Sequence, residues 1–268
     1  MLWAEANRAS MSIRSGMVHS LRQWIANGAD AFAVPGRIAA ETLRNEWGLD
    51  DKPLVPLPNL INEELFGVRV TELRARRSAL RRSFGLSNAE FAILWPTRLH
   101  ERTKGIMNFL RAVEGTLDSR VKILIAGEGP DRHRLESWLA ASSMSGVTLL
   151  GWQSEERMLE LYASCDLLLL PSLRDPNPLS VIEGLWAGLP LLISDRCGNW
   201  PEAVEQGVNG WVVDPMSQTQ VRRTFEEILR LTPEQLAGAG SASARIARNK
   251  FSTPANVELF ADCVVRMA

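Results

Sequence analysis

Two acids eight positions apart, Asp175 and Glu183, stand in the stretch LLLLPSLRDPNPLSVIEGLWAG from Leu167 to Gly188. The opening apolar run fits a fully buried strand, Pro171 and Ser172 break it, and the segment after the loop reads as helix. A strand thus delivers a loop, and the loop delivers a helix N-terminus. In an open parallel sheet, ligands bind outside the carboxyl ends of the strands, and the first turn of a helix offers unpaired N–H groups to a phosphate. Asp175 in the loop and Glu183 one turn into the helix can therefore face one ligand.

The stretch PTRLHERTKG adds Arg98 and Lys104 around the carboxyl end of an earlier strand, with Gly105 opening what should be a helix. Two cations where a helix begins suit a pyrophosphate, because Arg binds two oxygens at once and Lys adds a point charge. The competing reading is an exposed basic loop. Gly127, Glu128, Gly129 and Pro130 follow the next strand, a weak signal because any tight strand-to-helix turn favours glycine. Arg132 stands where a dinucleotide fingerprint needs its third glycine. Trp152 ends a third strand, where an indole covers a base or simply packs. His19, His100 and His133 have no partner at motif spacing, and no His, Cys, Asp or Glu cluster has metal-ligand spacing, so no metal site is expected.

The residues around Asp175 and Glu183 resemble the signature of retaining, nucleotide-sugar-dependent glycosyltransferases of the GT-B fold, family 4. They share its Pro-Ser, its acid, seven residues and Glu, and its small-residue helix ending in Gly-Leu-Pro. Here Asp175 replaces the usual Glu, and Asn177-Pro178-Leu179 replaces the usual aromatic-Gly-Leu. Arg98, Lys104 and Gly105 match the family's Gly-Arg...Lys-Gly, with Thr97 in place of its Gly. The resemblance extends to the Gly-acid-Gly-Pro turn at Gly129, to Tyr162 and Asp166 in YASCD, both read as structural, and to DRCGNWPE for Gly-Gly-x-Pro-Glu. It implies that Glu183 binds ribose hydroxyls and Asp175 lies near the donor sugar. Arg98 and Lys104 would hold the diphosphate with amides near Leu179 and Ser180, Trp152 would wall the nucleobase, and Gly198 would let backbone approach the sugar, Gly198 and Glu202 being weaker candidates than Glu183. It further implies a UDP- or GDP-linked sugar as substrate, no cofactor or metal, and a glycan or lipid-linked acceptor.

The elements that must position these residues are legible. Of 268 residues, 46% are hydrophobic and 23% charged, the balance of a soluble globular protein with a real core. A net charge of -1 argues against non-specific nucleic-acid binding, so any phosphate site is local. Cys165, Cys197 and Cys263, odd in number, read as reduced thiols of a cytoplasmic protein. Six apolar runs, Phe91–Trp95, Val121–Ala126, Val147–Leu150, Leu167–Leu170, Leu191–Ser194 and Trp211–Val213, separated by helix-period segments, predict an α/β fold with a Rossmann-like, doubly wound parallel sheet. Residues 217–231, 233–248 and 254–267 read as closing helices, and Asn209-Gly210 as a plain turn.

Ahead of the sheet, residues 1–28 read as helix, Ala31–Val34 as strand, Arg37–Trp47 as helix stopped by Gly48, and Leu54–Leu57 as extended chain. Taken alone this is too little for a domain. By resemblance it is a remnant of an N-terminal acceptor domain at 1–62, followed by a linker helix at 63–88, a donor-binding domain at 89–250 and a crossover helix at 251–268. Six arginines between Arg69 and Arg82 suggest either a solvated linker face or a weak contact with anionic lipid headgroups. The expectation is thus an N-terminally truncated glycosyltransferase, inactive alone. A nucleotide-sugar-binding subunit and a sugar epimerase of the same architecture are the alternatives.

Overall fold

The computed structural model describes residues 1–5, 16–142 and 144–267. Near its amino end, strands β1 (Leu2–Trp3), β2 (Phe32–Val34) and β3 (Leu54–Pro56) form a parallel three-stranded sheet, with Leu2 opposite Phe32 and Phe32 opposite Leu54. Ala26 of α1 (Met17–Asn27) and Ala39 and Leu43 of α2 (Arg37–Trp47) bury with Phe32 and Val34 in a small core of their own. One expectation is corrected here. Leu2–Trp3 is strand rather than helix, because it completes the edge beside β2, and helix begins only at Met17; residues 6–15 of that reading lie outside the described residues. Phe32 is 2% exposed, whereas Leu21, Trp24 and Ile25 on α1 are exposed.

The larger sheet holds β4 (Phe91–Pro96), β5 (Val121–Ala126), β6 (Val147–Gly151), β7 (Leu167–Leu170), β8 (Leu191–Ser194) and β9 (Gly210–Val213) in the order β6-β5-β4-β7-β8-β9. All pairs are parallel, and β4 meets β7 with Ile93 opposite Leu167. The chain runs outward in one direction from β4 to β6, then returns to the middle and runs the other way from β7. The reversal leaves a topological switch point between β4 and β7. Every residue of β7 and β8 is buried, as apolar runs covered on both faces should be.

Helices α5 (Glu101–Lys104), α6 (Ile106–Val113), α7 (Arg132–Ala141), α8 (Glu155–Ser164), α9 (Leu179–Trp186), α10 (Trp200–Ala203), α11 (Gln218–Leu229), α12 (Pro233–Lys250) and α13 (Thr253–Met267) complete the fold after β4. Local chemistry starts several of them: Ser154 caps α8, Ser217 caps α11, and Thr232 with Gln235 makes a capping box on α12. Trp95, Phe109 and Phe225 stack edge to face, joining β4, α6 and α11. Asn209, expected as a mere turn, is fully buried, and its amide nitrogen donates to Ala203 O and Ser243 Oγ, tying the start of β9 to α12.

The segment expected as one linker helix is a π-helical turn (Glu64–Arg69) leading into a short α3 (Val70–Arg74), then α4 (Arg77–Ser83). It packs on the larger core through Phe66, Val70, Leu73 and Leu80. Its arginines do not form a uniform solvated face. Arg81 is 0% exposed, and it shares Asp166 with Arg77 at 3.2 and 2.6 Å.

Candidate functional site

The carboxyl ends of β4 and β7 bring the two sequence motifs together at the switch point. Arg174 N–H donates to Thr103 O at 2.8 Å, so the loop after β7 is tied to the helix after β4. The Asp175 peptide is gripped on its other side, where its N–H donates to Arg196 O and its carbonyl accepts from Gly198 N–H. Across the mouth, Lys104 Nζ meets Asp175 Oδ2 at 2.5 Å, with both side chains largely buried. The cation expected at the diphosphate and the acid expected at the sugar therefore pair with each other.

Helix α9 enters this mouth with Pro178 at its N-cap and no side chain capping it. The first amides of a helix have no intrahelical acceptor, so the N–H groups of Leu179 and Ser180 face outward without one. One turn further on, Glu183 Oε2 accepts a hydrogen bond from the Tyr162 hydroxyl at 2.6 Å. Burial raises the Glu183 pKa above its ordinary value, and the Tyr162 bond opposes that shift. Tyr162 is wholly buried, with the Phe66 ring edge-on at 5.4 Å. The linker therefore orients Tyr162, and Tyr162 orients Glu183. Tyr162, read from sequence as structural, is better described as a positioning residue; its signal was that it is the only tyrosine in the chain.

Other expected residues fall differently. Arg98 is exposed, and its guanidinium has no hydrogen-bond or ion-pair partner among the described residues. The helix beginning after Lys104 does not offer its amides to a phosphate, because Glu101 accepts from Met107 N–H at 2.8 Å and Asn108 N–H at 3.0 Å. At Gly127 and Gly129 a Cβ would meet Thr97 O at 1.9 Å and Leu99 O at 2.3 Å, so neighbouring backbone, not a ligand, demands those glycines. Trp152 is 74% exposed at the end of β6 and is not core filler. The Gly198 amide is already committed to the Asp175 carbonyl. Glu202 faces the small sheet, where its carboxylate accepts from Arg37 N–H at 2.7 Å and so caps α2 from a distance of 165 residues.

Burial lifts Cys165 far above the thiol range and Cys197 to about 12, which leaves both inert. Among the described residues, no group of three or more His, Cys, Asp or Glu could hold a metal ion. No helix among them is long and apolar enough to cross a membrane.

The sequence model described as glycosyl transferases group 1 matches residues 76–244. The chain belongs to that family. Its group 1 relatives include an alpha-D-kanosaminyltransferase of Streptomyces kanamyceticus, 28% identical over 187 residues that cover 69% of this chain and 47% of that protein. A D-inositol 3-phosphate glycosyltransferase of Mycobacterium sp. (strain KMS) is 29% identical over 225 residues, 81% of this chain and 48% of that one. The chain spans 38% to 48% of the length of the curated relatives it matches. Among solved structures, HepE of Anabaena in complex with UDP-glucose superposes with a TM-score of 0.77 at 20% identity, covering 92% of this chain and 67% of that one. Sucrose-phosphate synthase of Thermosynechococcus elongatus gives a TM-score of 0.80 at 19% identity, covering 99% and 67%. The group 1 chain therefore has the parallel-sheet, Rossmann-like architecture of GT-B glycosyltransferases.

Proposed function

We propose that this chain binds a nucleotide sugar at the switch point and is the donor-binding part of a glycosyltransferase that transfers the sugar with retention of configuration. The observation that carries the reading is the convergence of the uncapped start of α9, the Lys104–Asp175 pair and the Tyr162-held Glu183 on one mouth of the sheet. A diphosphate there competes with Asp175 for Lys104, takes the free guanidinium of Arg98 and accepts from the amides of Leu179 and Ser180. Asp175, released, turns to hydroxyls of the donor sugar. Glu183 accepts from ribose hydroxyls, and Trp152 covers the base. As the sugar leaves, negative charge grows on the diphosphate, where fixed cations and helix amides stabilise it most. This chemistry needs no metal ion. The nucleotide of the donor, UDP in the HepE complex, is proposed as UDP or GDP here.

We further propose that residues 1–62 belong to an acceptor-side domain, and that residues 63–88 link it to a donor-binding domain at 89–250. The helix from 251 to 268 would cross back between them. The acceptor, a glycan or lipid-linked sugar, would bind across the crevice, held by groups beyond this chain. Three short strands and two helices form too little wall to position it, so the 268-residue chain should bind donor without transferring sugar. This matches a chain spanning under half of its relatives' length.

Calorimetric titration with UDP and GDP tests the donor site. Arg98→Ala and Lys104→Ala should each cost roughly 1.5 to 3 kcal/mol, about 10-fold to more than 100-fold in affinity. Unchanged binding in both variants overturns the diphosphate assignment. Incorporation of labelled sugar into an acceptor by the purified chain overturns the proposal that it needs a further domain.

A further inference from the structure

At the end of the larger sheet opposite the nucleotide-sugar crevice, the amino ends of β4, β5, β7 and β8 border a cleft of about 770 Å³. That volume lies in the range of small-molecule sites. Leu189, Pro190 and Leu231 supply apolar wall, and α12 closes one side.

Around Asp166, at one side of this cleft, positive charge is in excess. Arg81 is fully committed, with its guanidinium donating to Ser87 O, Ser164 O, Glu90 O and Asp166. Arg77 spends one amino nitrogen on Ser164 O, Cys165 O and Asp166. Arg74 is half-buried at the cleft and has no hydrogen bond or ion pair among the described residues. Burial, and then the charge of Arg77, lower the Arg74 pKa from the ordinary arginine value, and the charge of Asp166 opposes them. The nearby Asp118–Arg120 and Glu90–Lys122 pairs neutralise themselves. In this cluster the guanidiniums of Arg74, Arg77 and Arg81 have the Asp166 carboxylate between them, and desolvated cations are costly unless a counter-charge meets them.

We propose that this cleft is a second ligand site, separate from the nucleotide-sugar crevice, which takes the phosphoryl group of a small phosphorylated molecule between Arg74 and Arg77. A phosphomonoester carries about -1.5 to -2 at neutral pH, which suits an unpaired Arg74 beside an Arg77 that shares its one carboxylate with Arg81 better than the single charge of a carboxylate does. Guanidinium forks match its oxygens in pairs. The apolar wall receives the rest of the molecule. Arg74 also lies beside Gly188, just past the carboxyl end of α9, where the helix dipole partly stabilises the cation while the cleft is empty.

The test uses the full chain, inorganic phosphate as probe, and acetate and chloride at matched ionic strength as controls, read by thermal melting and calorimetry. Phosphate should bind saturably and raise the melting temperature more than acetate does, and saturating UDP should leave that isotherm in place. Arg74→Met should raise the ligand-free melting temperature, weaken phosphate binding at least about tenfold and leave UDP binding unchanged. Arg74→Lys, which keeps the charge and loses the fork, should recover part of the phosphate affinity. Phosphate binding that survives Arg74→Met, is abolished by UDP, or is matched by acetate overturns the proposal. Sedimentation with phosphatidic-acid vesicles that depends on Arg74 overturns the assignment to a soluble ligand. Loss of UDP binding in Lys104→Ala with phosphate binding intact keeps the two sites distinct.

Discussion

Helices α6 and α9 begin at the same mouth of the sheet, one after β4 and the other after β7, and they treat their first amides in opposite ways. Helix α6 is answered from within, because Glu101 lies three residues before Lys104 and folds back onto Met107 and Asn108 N–H. Helix α9 starts after Pro178 with no side-chain cap at all. Both carry the same partial positive charge at the same edge. Only α9 has it to spend on a ligand. A cation-rich motif beside a helix start therefore does not locate a phosphate until the fate of the amides is known, and here Lys104 of the α6 motif pairs with Asp175 of the other motif.

The largest expected effect sharpens that contrast. Lys104→Ala should cost roughly 1.5 to 3 kcal/mol of diphosphate affinity, whereas Glu101→Ala, which uncaps α6, should cost about 0.5 to 2 kcal/mol of stability and leave affinity nearly unchanged. Chemical denaturation and calorimetry on both variants check the pair. An affinity loss for Glu101→Ala equal to that of Lys104→Ala would erase the distinction between the two helix starts.

Next in size is the response of α9 to pH. The Glu183 carboxyl is raised above its ordinary 4.5 by burial, so over the window from there up to its folded value the native state keeps a proton that the unfolded chain has lost. Stability should therefore fall as pH rises through that window and level off above it. Glu183→Gln should flatten the slope. Ribonucleotide binding should run the other way, strengthening as Glu183 ionises and becomes a better acceptor. A binding curve flat across the same window would remove Glu183 from the ribose.

Smaller effects separate the ligand from its support. Tyr162→Phe removes the hydroxyl that steadies Glu183 while keeping the ring against Phe66, and should cost about 1 kcal/mol of ribonucleotide affinity. A 2′-deoxyribonucleotide should lose less than its ribo form in Glu183→Gln, because its partner hydroxyl is already absent. Calorimetry with matched ligand pairs reads both, and equal losses for the two sugars would place Glu183 away from the 2′-hydroxyl.

The strands of the sheet were legible in the chain because strands covered on both faces must be apolar throughout, as Leu167–Leu170 and Leu191–Ser194 are. The bounds of α2 were legible for a local reason, since Gly48 closes the helix in the left-handed region at φ 63°. What stayed hidden was set by distant partners. Two residues, Leu2 and Trp3, carry no period, and only the edge of β2 makes them strand. Arg81 reads as one more surface charge until Asp166, 85 positions away, turns it inward. Glu202 and Tyr162 were visible as family-like residues, but the groups they touch, Arg37 N–H and Glu183, lie 165 and 21 positions off. Of the candidate site, the residue types were readable; which amides were already taken was not.

The most direct measurement is a crystal structure of the chain with UDP bound. The account predicts the diphosphate within hydrogen-bond distance of Leu179 N–H, Ser180 N–H and the Arg98 guanidinium, with Lys104 drawn off Asp175 and the ribose on Glu183. Diphosphate found at the start of α6 with Glu101 displaced, or at the Gly127–Gly129 turn with Lys104 still on Asp175, would contradict it.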